Sequence, residues 1–454
     1  MFPQWVGLVV AIVLNTASPI LAQNASFNAT FGQRRLEIHM NTVETVNLTL
    51  TNVNVPHGTP YKFQVRSDKQ ELAIADKVIE ASEINENTKS WFGTFDVQAE
   101  FLGNAKVYVE LQVGENSIPS NEKLDVVIIR EVRVIDHVFT GSVALLVSLL
   151  YINFGAALDL STLKGIVRRP IGPAIGFTSQ FLLMPLLSFG LGYVLFPDSV
   201  ELQLGMFFTG VSPAGGASNI WTVILQGNIN LSIAMTAIGN FAAFGMMPLW
   251  IFTLGRLIFE RGNLVVPYEN IATFAVSLVV PLTIGILIQR FRPGAGRILV
   301  RLLKPVSFLL ILFIIIFAIV TNLYLFQLFS WQIVVAGLGL PWLGYIFGWI
   351  LAKILKQSSA DALTIAIETG IQNTGIAIFL LRFSLPQPQA DLTTVVPVCV
   401  AIMTPLPLLL MYLWQKIRPG RRDPETVLDT KQRDACDIYD DSNALNPVLR
   451  TVQA

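Results

Sequence analysis

The sequence predicts a mainly α-helical polytopic membrane protein with about nine transmembrane helices, inverted repeats and two crossed broken helices, preceded by a small β-sandwich-like ectodomain. Three observations predict it. Charged residues are 14% of the 454-residue chain and hydrophobic residues 53%, with a mean hydropathy of +0.58, whereas soluble proteins carry roughly a quarter charged residues. From residue 137 onward the apolar residues gather into runs long enough to cross a hydrocarbon core about 30 Å thick. Before that point the text is polar, with period-two patches such as KVYVELQV from Lys106 and LDVVIIREVRV from Leu124, as strands with two unlike faces require.

Residues 1–22 are expected to be a signal peptide. An apolar stretch runs from Trp5 to Leu14 and small residues lead to cleavage after Ala22, although Lys and Arg are missing from its start. Residues 23–135 are expected to form the extracellular or lumenal β-rich domain. Sequons at Asn24, Asn28 and Asn47 fall there, and a glycan requires a lumenal or extracellular surface. Residues 136–417 hold nine apolar segments, centred near 148, 184, 212, 243, 279, 316, 342, 372 and 404. Lys164, Arg168 and Arg169, the Arg290 to Lys304 cluster, Lys353, Lys356 and Lys416 then fall on one side, which places the N-terminus outside and the C-terminus in the cytosol. Residues 418–454 lack apolar periodicity and read as a disordered cytosolic tail. The expected location is the plasma membrane or a secretory-pathway membrane.

The third and eighth segments differ from the rest. SPAGGASNIW from Ser212 and AIETGIQNTGIA from Ala366 put Gly, Pro and polar residues where a spanning helix would carry Leu and Val. Free backbone groups are tolerated at membrane depth only inside protein or beside water, so both segments should be broken helices around a central pocket. They stand five apart and run in opposite directions, as in an inverted repeat whose first half lacks one helix. A weak echo, Met246-Met247-Pro248-Leu249 against Met403-Thr404-Pro405-Leu406, agrees with that.

Glu368 is the costliest of these residues, at roughly 2.5–3.5 kcal/mol for a carboxylate near the bilayer centre. No Lys or Arg sits at matching depth in the other segments, which favours an inorganic cation as its counter-charge. Hard cations prefer oxygen ligands. Ser218, Asn219, Ser232 and Thr236 with Glu368 would supply one oxygen cage, Ser232 and Thr236 lying one turn apart. Gln180, Glu368 and Gln372, with backbone carbonyls around Thr369 and Ile371, would supply a second.

At these residues the chain resembles the sodium/bile acid symporter family, and within it the branch with a long glycosylated ectodomain. GFTSQFLLMPLL around Gln180, PAGGASN, LSIAMT and ETGIQNTGIA stand in the family's order, and the resemblance covers about residues 137–417. It implies a panel domain, a core domain and alternating access around crossed helices. It also implies two transported sodium ions, one at Ser218, Asn219, Ser232, Thr236 and Glu368 and one at Gln180, Glu368, Thr369, Ile371 and Gln372. Asn373 matches a position facing the substrate cavity, with Gly215 and Gly216 alongside. Many relatives read Pro-Gly-Gly where this chain has Pro213-Ala214-Gly215-Gly216, a departure that touches the substrate more than the ions.

Plainer readings compete with each assignment. Glu368 could be a protonated structural carboxylate, and Ser232 and Thr236 could back-bond to their own helix. Gly215 and Gly216 could serve close packing, and Gln180 an interhelical hydrogen bond. The expected function is sodium-coupled symport of an amphipathic organic anion, such as a bile acid or steroid conjugate. No intramembrane Arg is available to clamp that anion. A transport-silent sensor or adhesion-type protein and a cation/proton exchanger are the alternatives. Neither an enzyme nor a nucleic-acid partner is expected: there is no nucleophile with a matching base and no phosphate-cradling loop. Cys399 and Cys436 form no metal pair, and His39, His57 and His137 lie in or beside the ectodomain.

Overall fold

Period-two alternation in the N-terminal stretch becomes ten strands in the computed structural model. The model describes residues 25–417 apart from 57–58, 115, 158–169, 263, 322–325 and 327. The expected signal peptide, the sequon at Asn24, the loop bearing Lys164, Arg168 and Arg169, and the tail 418–454 lie outside the described residues. The strands are β1 (Ser26–Phe31), β2 (Arg35–His39), β3 (Val43–Asn54), β4 (Tyr61–Ser67), β5 (Ala73–Ile74), β6 (Lys77–Glu80), β7 (Trp91–Ala99), β8 (Gly103–Val113), β9 (Asn116–Pro119) and β10 (Leu124–Ile129). One sheet has the order β1-β3-β7-β5; the other runs β2-β10-β8-β4-β6, with β9 on β8. Pairing is antiparallel except between β10 and β2. In β8 every second residue from Gly103 to Val113 is buried, so the alternation seen in the sequence is the inward face of a strand. Both sheets contribute to one apolar core, joined where Phe27 of β1 meets Phe63 of β4 edge-on at 5.1 Å. Asn28 and Asn47 are exposed on β1 and β3.

Four residues separate β10 from the helical part. Its elements are α1 (Val134–Ala157), α2 (Ile171–Leu195), α3 (Val200–Val211), α4 (Ala217–Ile224), α5 (Ile229–Arg261), α6 (Tyr268–Phe291), α7 (Pro293–Thr321), α8 (Trp331–Ile354), α9 (Ser359–Gly370), α10 (Thr374–Ser384) and α11 (Gln389–Ile417). Among the described residues, α1, α2, α5, α6, α8 and α11 are long and apolar enough to cross a membrane. The expected third and eighth segments are the interrupted pairs α3–α4 and α9–α10, and the expected sixth coincides with α7. Exposed Val276, Val280 and Leu287 give α6 an apolar outer face, as lipid contact requires.

Two groups of helices result. In one, α1 packs against α6 and α7. The α1–α6 crossing needs Gly155 and Gly285, because a Cβ on either would strike the backbone of the opposite helix. In the other, α2 packs on α3, and α8 on α9 and α11. The α5 helix touches α2, α4 and α9 as well as α6, so one of its faces joins the two groups.

Candidate functional site

The two interrupted helices cross at their breaks. Pro213 to Gly215 lies antiparallel to Ile371 to Asn373: the Gly215 N–H donates to the Ile371 carbonyl at 2.9 Å, and the Asn373 N–H to the Pro213 carbonyl at 2.8 Å, with Ala214 opposite Gln372. Backbone groups released by each break are thus satisfied by the other. Gly215 is required for this approach, since a Cβ there would come within 2.9 Å of the Gln372 carbonyl oxygen. Beyond the break, the Asn373 carboxamide oxygen accepts the Ile376 N–H at 3.2 Å and caps α10. Gly216 opens α4. The N-termini of α4 and α10, the positive ends of two helix dipoles, therefore both lie at the crossing.

Glu368, in the last turn of α9, is 1% exposed. Its Oε1 accepts hydroxyl hydrogen bonds from Ser218 of α4 at 2.7 Å and Ser232 of α5 at 2.5 Å, and its Oε2 accepts from Thr236 at 2.9 Å. Asn219 completes the group, with Oδ1 2.9 Å from the Ser232 hydroxyl and Nδ2 donating to Thr236 at 3.2 Å. All five residues expected in the first oxygen cage meet here. The hydroxyl protons are oversubscribed: Ser232 has both Glu368 and Asn219 as acceptors, and Thr236 has Glu368 and the Ser232 carbonyl. More lone pairs converge than protons can fill, and among the described residues no basic side chain pairs with Glu368. A hard cation satisfies both conditions at once.

Gln180 and Gln372 meet beside this cluster. The Gln180 amide donates to Gln372 Oε1 and to the Ser212 carbonyl, each at 2.7 Å, while Gln372 donates to the Thr369 carbonyl at 2.7 Å. The Ile371 carbonyl accepts from Gly215, leaving one lone pair on that oxygen for any further ligand. A cavity lined by Pro173, Gly176, Gln180, Ala214, Met235 and Glu368 borders the site through Gln180 and Glu368. Gln180 sits in a π-helical turn, Ser179–Leu183, and the cause is local. Pro185 has no N–H for the carbonyl four residues earlier, and the Trp250 indole supplies one instead, donating to Phe181 O at 2.6 Å.

Two residues were not singled out by sequence reasoning. Asn240 is 2% exposed, and among the described residues neither polar atom of its carboxamide has a hydrogen-bond partner. It follows Ser232 and Thr236 at the same spacing of four along α5, a signal that could have found it. A second, apolar cavity lies one turn further on, lined by Tyr151, Phe244, Met247, Ile271, Leu278 and Leu380. The other residue is Arg382, a buried basic group within α10, which is tied to Asp391 at 3.1 Å rather than free to clamp an anion.

The profile of the Sodium Bile acid symporter family matches residues 144–329. The chain is 33% identical over 261 residues to the P3 protein of Homo sapiens, covering 57% of this chain and 54% of that protein. It is 30% identical over 275 residues to the human ileal sodium/bile acid cotransporter, covering 60% of this chain and 77% of that one. To the sodium-dependent organic anion transporter of Bos taurus it is 32% identical over 262 residues, covering 56% and 67%. The chain thus spans about half the length of the P3 protein and most of the other two.

Proposed function

The chain belongs to the sodium bile acid symporter family, a family of multi-pass transporters rather than enzymes, and from that premise we propose that it couples sodium entry to the uptake of an amphipathic organic anion. One observation carries the reading: Glu368 of one broken helix is sealed among oxygen ligands from the other broken helix and α5, with more lone pairs than protons. In this reading Ser218, Asn219, Ser232, Thr236 and Glu368 hold one sodium ion. Gln180, Gln372 and the carboxylate, with the Thr369 and Ile371 carbonyls, hold the other. The cations neutralise the carboxylate and complete the crossing, which lowers the barrier to moving one bundle past the other. The anion reaches the positive ends of α4 and α10 near Asn373, Gly215 and Gly216, and its apolar body fills the cavity between the helix groups. Named relatives that transport bile acids and organic anions support this cargo class.

The domain scheme follows the same reading: a cleaved signal over 1–22, an extracellular or lumenal β-rich domain over 23–135 glycosylated at Asn24, Asn28 and Asn47, the transporter over 136–417 and a cytosolic tail. Exposure of Asn28 and Asn47 supports it. A further Asn-x-Ser match, Asn230-Leu231-Ser232, lies outside this domain, with its Ser232 buried against Glu368.

The test is uptake of a labelled organic-anion panel in sodium against choline medium, with Glu368→Gln in parallel. The expected result is sodium-dependent uptake that the substitution abolishes at normal surface abundance. Equal uptake in choline would remove the coupling, and unchanged uptake in the variant would remove Glu368 from it.

A further inference from the structure

Four buried charged side chains, with the half-exposed Arg133 at their rim, meet where the β-rich domain joins the helices. Arg130 donates through Nη1 to Asp136 Oδ2 at 2.5 Å and through Nε to Asp391 Oδ2 at 2.7 Å; Arg382 Nη2 lies 3.1 Å from the other oxygen of Asp391. Arg133 adds its backbone N–H, donating to Asp136 Oδ2 at 2.9 Å, and its guanidinium, 3.6 Å from the same oxygen. Side-chain exposure is 7% for Arg130 and Asp136, 2% for Asp391 and 8% for Arg382, so two positive and two negative charges are buried together and balance.

Placement gives this cluster its meaning. Arg130 directly follows β10, which is hydrogen-bonded on both sides by β2 and β8, so its backbone belongs to the β-rich domain. Asp136 is in the first turn of α1, within the group formed with α6 and α7. Asp391 opens α11 and Arg382 closes α10, the helix that leads out of the crossing at Asn373. One guanidinium therefore ties both helix groups to each other and to the domain strand. Arginine suits the position because its planar fork serves two carboxylates at once.

Resting on the transport reading above, alternating access rocks one bundle against the other. Parting at this end separates Asp136 from Asp391, and Arg130 can follow only one. Whichever carboxylate Arg130 leaves loses its closest hydrogen-bonding cation and keeps only Arg133 or Arg382, a loss disfavoured in a dry interior and offset by water once the end opens. The cluster is therefore stable closed and dry or open and wet, and unfavourable in between. We propose that Arg130 is a positioning residue of the transport cycle, a latch through which the β-rich domain holds the two helix groups shut at its own end.

The test uses the full chain with Cys399→Ala and Cys436→Ser, and with Leu385→Cys, a buried position after α10, as reporter. A membrane-impermeant thiol reagent is applied on the side of the β-rich domain. Arg130→Gln combined with Asp136→Asn breaks the latch without orphaning a charge, since Arg382 keeps Asp391. The labelling rate is expected to rise about tenfold, and the sodium concentration for half-maximal uptake on that side to fall by a similar factor, because more molecules start open there. Maximal uptake should fall, as closure is slowed, and Arg130→Lys, which keeps one charge but not the fork, should label at an intermediate rate. An unchanged labelling rate overturns the latch. So does a lower surface abundance with unaltered sodium half-saturation, the mark of a merely structural cluster. Labelling needs no cargo, so loss of the transport reading would show separately, as wild-type uptake that ignores sodium.

Discussion

Phe63 in the β-rich domain and Glu368 in the helical part are sealed equally well, at 0% and 1% exposure, by opposite chemistry. Phe63 lies edge-on to Phe27 and Tyr61, 5.1 and 6.0 Å between ring centroids, in a core filled from both sheets. Its removal from water is itself the stabilising term. Glu368 is disfavoured by the same removal and stays only because Ser218, Ser232 and Thr236 face it. The domain is organised around what water rejects, the crossing around a group that water would hold. It follows that damage to the first should appear as lost stability, and damage to the second as lost transport in a protein that still folds.

The largest expected stability effect is on the domain side of this comparison. Phe63→Ala should destabilise the β-rich domain by about 3–5 kcal/mol, read by pulse proteolysis of the full chain, because the vacated volume is walled by two sheets. Molecules that reach the surface should keep their sodium half-saturation; a weakened one would break the separation. Gly215→Val sits on the other side. Its side chain would press on the Gln372 carbonyl and spread the crossing, at about 1–3 kcal/mol in a thermal melt, and uptake should vanish although every oxygen ligand is intact. Uptake that survives would show that the crossing tolerates separation. The smallest shift is expected for Asn240→Leu. Removing a buried carboxamide that has no hydrogen-bond partner among the described residues should raise stability by about 1 kcal/mol in the same melt, while the apparent affinity for the organic anion weakens. A variant that is less stable would mean that Asn240 is a structural polar group and would dissolve its assignment to the site.

Much of this was legible along the chain. The breaks show because Gly, Pro and amide residues interrupt apolar text, and Ser232 and Thr236 show because a spacing of four puts two oxygens on one helical face. Strand alternation in β8 and β10 was readable for the same kind of reason, a period matched to a backbone geometry. Arg382 was not legible as an ion-pair member. Its partner Asp391 lies beyond the end of α10, and the third member, Arg130, is separated from Asp391 by 261 positions. Gln180 and Gln372, 192 positions apart, could be grouped by residue type, but their direct hydrogen bond appears only when α2 is laid against the crossing.

By itself, then, the sequence determined which segments seek lipid, which alternate as strands, where two helices must break and which carboxylate needs a counter-charge. Each of these depends on residue type and short-range period, and both are written along the chain. Only the tertiary structure decided that Gly215 faces Gln372, that three hydroxyls from two helices reach Glu368, and that Arg130 joins both helix groups. Those pairings depend on which faces meet after the chain has folded back on itself, and no local period encodes them.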